Sequence, residues 1–235
     1  KNIDLQVDHS TYQVKVGDDL YKIRINIPGD FNISNSLAAV AVGREIGLTK
    51  AQVEQGIAAL KSVEGRMAIV NAGQAYKVII DFASTPDAFE QVLRNVRPAT
   101  KGKLIAVFGS AGRRDESKRA IQGQIAGQFC DEVILTEEDD RDVDGQSILR
   151  QIAEGAAKVG KVEGKNMFLI LDRKDAINFA MGRAKNANDT VVLLGKGHEK
   201  TIERKNATIA WNEFEVAKNA IADNDKKRFY FLKAC

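Results

Sequence analysis

The stretch Lys103-Leu-Ile-Ala-Val-Phe-Gly-Ser-Ala-Gly-Arg-Arg-Asp-Glu-Ser-Lys-Arg119 decides the fold class. A short apolar run reads as a strand, a glycine-rich polar turn follows, and a helix begins near 117. The same succession recurs along the chain. Strands are expected at 77–81, 104–108, 132–135, 167–170 and 190–194, alternating with helices at 87–96, 117–129, 146–158, 173–184 and 213–221. Such alternation predicts an α/β domain, a Rossmann-like and mostly parallel sheet with crossover helices. In sheets of this kind ligands sit beyond the carboxyl ends of the strands. The segments after each strand are therefore where chemistry is to be sought.

Upstream the period differs. The first thirty residues alternate as strands do: Ile3, Leu5 and Val7, then Tyr12, Val14 and Val16, then Tyr21, Ile23, Ile25 and Ile27, with Gly17-Asp18-Asp19 as a hairpin turn. After Pro28-Gly29, two helices are expected. The first, 32–46, places Leu37, Ala38, Ala41 and Val42 on one face; the second, 49–60, does the same with Val53, Ile57 and Leu60. Gly47 supplies a stop and Thr49 an N-cap. A composition shift at 62–67 marks a boundary. The expected division is 1–62, 63–222 and a tail at 223–235, whose Phe229, Tyr230, Phe231 and Leu232 either pack back or fray.

Composition narrows the functional classes. At 235 residues and 44% hydrophobic, the chain can bury a real core. Its apolar runs fall far short of the roughly 20 residues that span a bilayer, and its first residues do not form a secretory signal. With 35 basic and 32 acidic residues, the net charge of +3 gives no general case for nucleic acid or an anionic membrane. The dense basic spots, Arg113-Arg114 with Lys118-Arg119 and Lys226-Lys227-Arg228, read locally as a solvated face and a tail. Cys130 and Cys235 do not form a disulfide framework, so a reducing cytosol fits.

Five post-strand segments carry charge: Asp81-Phe-Ala-Ser-Thr-Pro-Asp87, Gly109-Ser-Ala-Gly-Arg-Arg-Asp115, Thr136-Glu-Glu-Asp-Asp-Arg-Asp142, Leu171-Asp-Arg173 and Gly195-Lys-Gly-His-Glu199. Each has a bland local reading. Asp81 and Thr85 can cap, Gly109 and Gly112 can turn, and the acidic run can face solvent. Their joint placement at one sheet edge argues for a binding cleft, because converging unlike charges are costly to gather otherwise. Gly109 to Asp115 invites a phosphate reading, but neither a complete phosphate loop nor a dinucleotide fingerprint is present. His9 and His198 with two separated cysteines make no zinc site.

Taken together, Gly29-Asp-Phe-Asn-Ile-Ser-Asn35 before Leu-Ala-Ala, Glu64-Gly-Arg-Met67, the Asp81 segment, Phe108 to Asp115 with Lys118-Arg119, and Gly195-Lys-Gly-His-Glu199 resemble the Mur ligases in order and spacing, and the last motif resembles the MurE type. The resemblance implies an ATP-dependent, cytoplasmic and monomeric enzyme of peptidoglycan synthesis. Such an enzyme adds a diamino acid, meso-diaminopimelate or lysine, to UDP-MurNAc-L-Ala-D-Glu through an acyl phosphate. By resemblance, Asn32 and Asn35 meet the adenine nucleotide, Arg66 and Asp81 close over it, Arg114 and Arg141 hold carboxylates of the amino acid, and Gly195 and Glu199 its amino side. The chain would then be a C-terminal half, with a remnant of the central ATP-binding domain first. The phosphate loop, Mg²⁺ ligands and UDP-sugar domain would lie before Lys1, leaving the chain inactive alone.

Two departures are informative. Phe82 and Ser84 stand where the family commonly has Tyr and His. Glu138-Asp139-Asp140-Arg141 stands where diaminopimelate-adding members have Asp-Asn-Pro-Arg. Arg141 favours a side chain bearing a carboxylate, whereas Asp139 favours a cationic end. Competing readings are a related folate or poly-amino-acid amide ligase, and a binding module that has lost catalysis.

Overall fold

The computed structural model describes residues 2–6, 9–27 and 29–233, with side chains up to 224 and at 226. The packing expected of Phe229, Tyr230, Phe231 and Leu232, the basic pair Lys227-Arg228, and Cys235 fall outside the described residues. The chain forms two compact units, Lys1–Ala68 and Ile69–Cys235.

In the first unit, β1 (Asp4–Leu5), β2 (Ser10–Val16) and β3 (Asp19–Ile25) form a three-stranded sheet in that order, each pair antiparallel. The β2–β3 turn falls at Gly17, whose φ of +62° suits a residue without a side chain. Two helices follow, α1 (Phe31–Glu45) and α2 (Lys50–Ala59). Thr49 caps α2 in a full capping box with Gln52. The buried face of α1 is not the one its apolar residues suggest. Ile33, Ser36, Val40 and Gly43 face inward, whereas Leu37 and Val42 are exposed. Close approach is the reason: a carbon added at Gly43 would lie 2.8 Å from Val53, and Ser36 Oγ meets Tyr12 Oη at 2.8 Å. Only the smaller face admits its neighbours.

The second unit is built on a six-stranded sheet. β4 (Ala68–Ile69) begins at the boundary, and β5 (Lys77–Asp81), α3 (Pro86–Ala99), β6 (Leu104–Phe108), α4 (Ser117–Phe129), β7 (Glu132–Leu135), α5 (Gly145–Ala157), β8 (Met167–Leu169), α6 (Arg173–Arg183) and β9 (Thr190–Leu194) follow. Strand order is β4-β5-β9-β6-β7-β8, and the pairs β5–β9, β9–β6, β6–β7 and β7–β8 are all parallel. The apolar runs of β5, β6, β7 and β9 are buried on both faces, as crossover helices require, whereas the edge strand β8 buries only Met167 fully. On one face Val78, Ile80, Ile105, Val107, Val191 and Leu193 pack with α6 and the final helix. On the other, Phe89 of α3 meets Phe108 edge-on with ring centroids 4.9 Å apart.

Two features differ from the sequence expectation. An antiparallel hairpin, β10 (Thr201–Arg204) and β11 (Ala207–Ala210), follows β9. The last helix, α7 (Glu213–Lys233), runs beyond 221, since no glycine or proline ends it. No helix among the described residues is long and apolar enough to cross a membrane.

Candidate functional site

The strand order places the ends of β5, β9, β6 and β7 side by side, so the segments carrying Asp81, Gly195, Arg114 and Arg141 leave the sheet at one edge. Direct bonds join them. Gly195 N–H donates to the carbonyl of Asp81 at 3.2 Å, linking the β5 and β9 loops. His198 lies against Phe82, with centroids 5.1 Å apart. Lys118 Nζ and Gln122 Nε2 of α4 both bind the Ser84 carbonyl, at 2.8 and 3.0 Å.

Asp81 is buried, and its Oδ1 accepts the Ala83 N–H at 2.8 Å, as a loop-capping aspartate does. Thr85 caps α3 through the Ala88 N–H. The glycine-rich turn after β6 has a structural cause of its own. A carbon added at Gly112 would lie 2.2 Å from the Asp140 carbonyl, and the Gly112 N–H already donates to Asp139 O at 2.8 Å. The acidic loop after β7 is pressed against this turn. Of the basic residues there, Arg113 pairs bidentately with Asp142 at 2.7 and 2.5 Å, and Arg119 is 1% exposed, bound to Gln151 and the Ala111 carbonyl. Reading Arg119 as part of a solvated face is thereby corrected. Arg114 is exposed and makes no hydrogen bond or ion pair among the described residues.

The acidic loop is not a solvent-facing run: Glu137, Glu138, Asp139 and Asp140 are each buried. Glu137 is held by Arg204 through both carboxylate oxygens. Asp139 accepts Lys196 Nζ at 2.9 Å and the Glu203 N–H at 2.9 Å, while Lys196, wholly buried, also reaches Glu199 Oε2 at 2.7 Å. Arg141, with φ +54°, donates from Nε to Glu203 Oε2 at 2.8 Å and from Nη1 to the Gly112 carbonyl at 2.6 Å. Glu138 has no side-chain hydrogen bond or ion pair among the described residues, and burial pushes its carboxyl above the ordinary range. Gly195 has φ +101°, and a carbon added to it would lie 2.5 Å from Glu138 Oε2. Burial also pushes Asp140 up to about 6, with Glu137 adding to the effect, and its Oδ1 has no partner.

Arg173 fixes the frame. Its guanidinium, wholly buried, bonds Glu213 at 2.6 and 3.0 Å, the Glu137 carbonyl at 3.1 Å and the Leu194 carbonyl at 2.9 Å. It thus ties the β7 and β9 ends to α7. Sequence reasoning missed Glu203 and Arg204, because the hairpin carrying them has only a polar Lys205-Asn206 turn for a signal.

In the first unit, Asn32 and Asn35 line a cavity of about 310 Å³ with Ile25, Ile27, Ile57 and Leu60, and Asn35 Nδ2 donates to Asn32 Oδ1 at 3.0 Å. Apolar walls with two amides suit a flat heteroaromatic ring. Arg66 is exposed in the turn after Val63. Among the described residues no group of three or more His, Cys, Asp or Glu could hold a metal ion.

Comparison with known proteins matches this architecture. The family model described as Mur ligase, glutamate ligase domain, matches residues 65–197. The UDP-N-acetylmuramyl-tripeptide synthetase of Roseiflexus sp. (strain RS-1) is 45% identical over 200 residues, covering 85% of this chain and 39% of that protein. The protein of the same name from Borreliella burgdorferi is 41% identical over 95% of this chain and 44% of its own length. A solved UDP-N-acetylmuramoyl-L-alanyl-D-glutamate–2,6-diaminopimelate ligase superposes with TM-score 0.67 at 28% identity, over 95% of this chain and 45% of that one. The chain thus spans less than half the length of the relatives it matches. With the family model and relatives above 40% identity agreeing along it, the chain belongs to the Mur ligase family.

Proposed function

We propose that the chain is the C-terminal part of a cytoplasmic ATP-dependent ligase that adds a diamino acid to UDP-MurNAc-L-Ala-D-Glu in peptidoglycan synthesis. The observation that carries this reading is a pair of side chains left unbonded at the sheet edge. Arg114, exposed, and Glu138, buried, make no hydrogen bond or ion pair among the described residues and belong to loops joined through Gly112 and Asp139. A free amino acid presents a carboxylate for the first and an ammonium for the second, and the ammonium would favour the ionised form of Glu138 that burial disfavours. Arg114 binds the α-carboxylate, and Gly195 and Glu199 border the amino end. Asn32 and Asn35 receive the base of ATP, and Asp81 and Arg66 contact its sugar and phosphates.

ATP supplies the phosphoryl group that activates the acceptor carboxylate; the contribution of this chain is to orient the amine and exclude water from the activated acid. Among the described residues no cluster of three or more His, Cys, Asp or Glu is placed to hold the Mg²⁺ that would accompany ATP. The test is an assay of the full-length protein with ATP, UDP-MurNAc-L-Ala-D-Glu and diamino acids. Phosphate release should need both acceptor and diamino acid. Nucleotide binding without turnover would instead favour a module that has lost catalysis.

A further inference from the structure

The sequence offers two opposed selectors for the amino acid's side chain, and the structure engages both from within. Asp139, the selector for an ammonium, is neutralised by buried Lys196. Arg141, the selector for a carboxylate, is neutralised by Glu203. Glu203 is held in place at its backbone as well. Its N–H donates to Asp139 Oδ1 and its carbonyl accepts the Arg141 N–H, both at 2.9 Å, so its carboxylate meets Arg141 at 2.8 Å without a long search.

We propose that Glu203 is a specificity-determining residue whose carboxylate occupies the Arg141 guanidinium in place of a substrate side-chain carboxylate, so that the site takes a diamino acid with a single carboxylate, of the lysine or ornithine class, and rejects diaminopimelate. The proposal rests on the amino-acid reading of this sheet edge. Two physical effects act together. A tethered carboxylate competes at an effective concentration far above that of a free ligand. A second substrate carboxylate seeking Arg141 would also meet the Glu203 carboxylate already on that guanidinium, and like-charge juxtaposition rejects a ligand more sharply than the mere absence of a favourable interaction does. A distal ammonium instead finds Glu138, which makes no hydrogen bond or ion pair among the described residues although Arg173, Lys118 and Lys196 act on it from farther off.

The test titrates the full-length protein, loaded with a non-hydrolysable ATP analogue and UDP-MurNAc-L-Ala-D-Glu, with L-lysine, L-ornithine and meso-diaminopimelate by calorimetry. Lysine or ornithine should bind at least about tenfold more tightly than diaminopimelate, the factor that one charge-assisted hydrogen bond is worth. Glu203→Gln should raise diaminopimelate affinity about tenfold while changing lysine affinity less than about threefold. The Glu203 side chain is 47% exposed, so the variant should fold, and a melting curve checks it. Diaminopimelate binding to the unaltered chain as tightly as lysine, or an unchanged preference in Glu203→Gln, overturns the proposal and leaves the amino-acid site standing. Failure of all three amino acids to bind overturns both.

Discussion

Arg173→Met should be among the most destabilising single changes in the second unit. Arg173 and Glu213 are both wholly buried, and removing the arginine leaves the Glu213 carboxylate with only the Trp211 indole N–H, at 2.6 Å, of its present side-chain donors. Breaking a buried pair from one side costs about 3–5 kcal/mol, because an uncompensated charge stays behind. The carbonyls of Glu137 and Leu194 also lose a donor each. At about 1.4 kcal/mol per decade the folded-to-unfolded ratio falls by roughly 2 to 3.6 orders of magnitude, and the melting temperature by roughly 6–20 °C for a unit of this size. Urea unfolding read from Trp211 fluorescence reports this unit directly, since Trp211 is the sole tryptophan. The double variant Arg173→Met with Glu213→Leu removes both charges and should recover at least about 2 kcal/mol of the loss. A single-variant cost below about 1 kcal/mol, or a double variant no better than the single, would refute the reasoning.

Three further outcomes are expected. Asp140 titrates near 6 in the folded chain against the ordinary 3.8, so its protonated form is favoured by folding; its contribution is fully present below about pH 4 and is lost as pH rises to about 6. Asp140→Asn should therefore stabilise the chain at pH 7, and the gain should vanish by pH 4 in paired denaturation curves. Gly112→Ala sets a carbon 2.2 Å from the Asp140 carbonyl and should cost about 1–3 kcal/mol or more by overpacking, seen as a lowered unfolding midpoint. Gly56→Leu, at a helical position where an added carbon meets nothing within 4 Å, should stabilise α2 by up to about 1 kcal/mol while filling the Asn32–Asn35 cavity; adenine nucleotide titration should then lose its effect on first-unit amide shifts.

Much of this was legible in the sequence because its signals were local. The five parallel strands are short apolar runs bounded by turn residues, and strand-then-helix alternation has few topological solutions. That Asp81, Arg114, Arg141 and Glu199 leave the sheet at one edge follows from the same rule. What the sequence hid depended on partners distant in the chain. The orientation of α1 was set by how closely α2 approaches Gly43, which apolar periodicity does not report. The hairpin bearing Glu203 and Arg204 reads as loop, because its two four-residue strands bury only Ile202 and are too short to show the alternation that marks core strands. Arg141 and Asp139 could be recognised by type, but their pairing with Glu203 and Lys196 lies 62 and 57 residues away.

Those distant pairings change how such a motif should be read. Taken as a row of residue types, Glu138-Asp139-Asp140-Arg141 offers three anions and a cation to a ligand. Where such groups are buried a counter-charge lowers their cost, and the fold supplies one for two of the four, Lys196 for Asp139 and Glu203 for Arg141, as Arg204 does for the neighbouring Glu137. Recognition is left to whichever groups the fold leaves unmatched, and a selector can be silenced by a residue on another element without any change in the motif. Two chains with the same four-residue loop could then prefer different amino acids, according to whether position 203 carries a carboxylate. Exchanging that one residue, with the loop untouched, separates recognition by motif from recognition by residual charge.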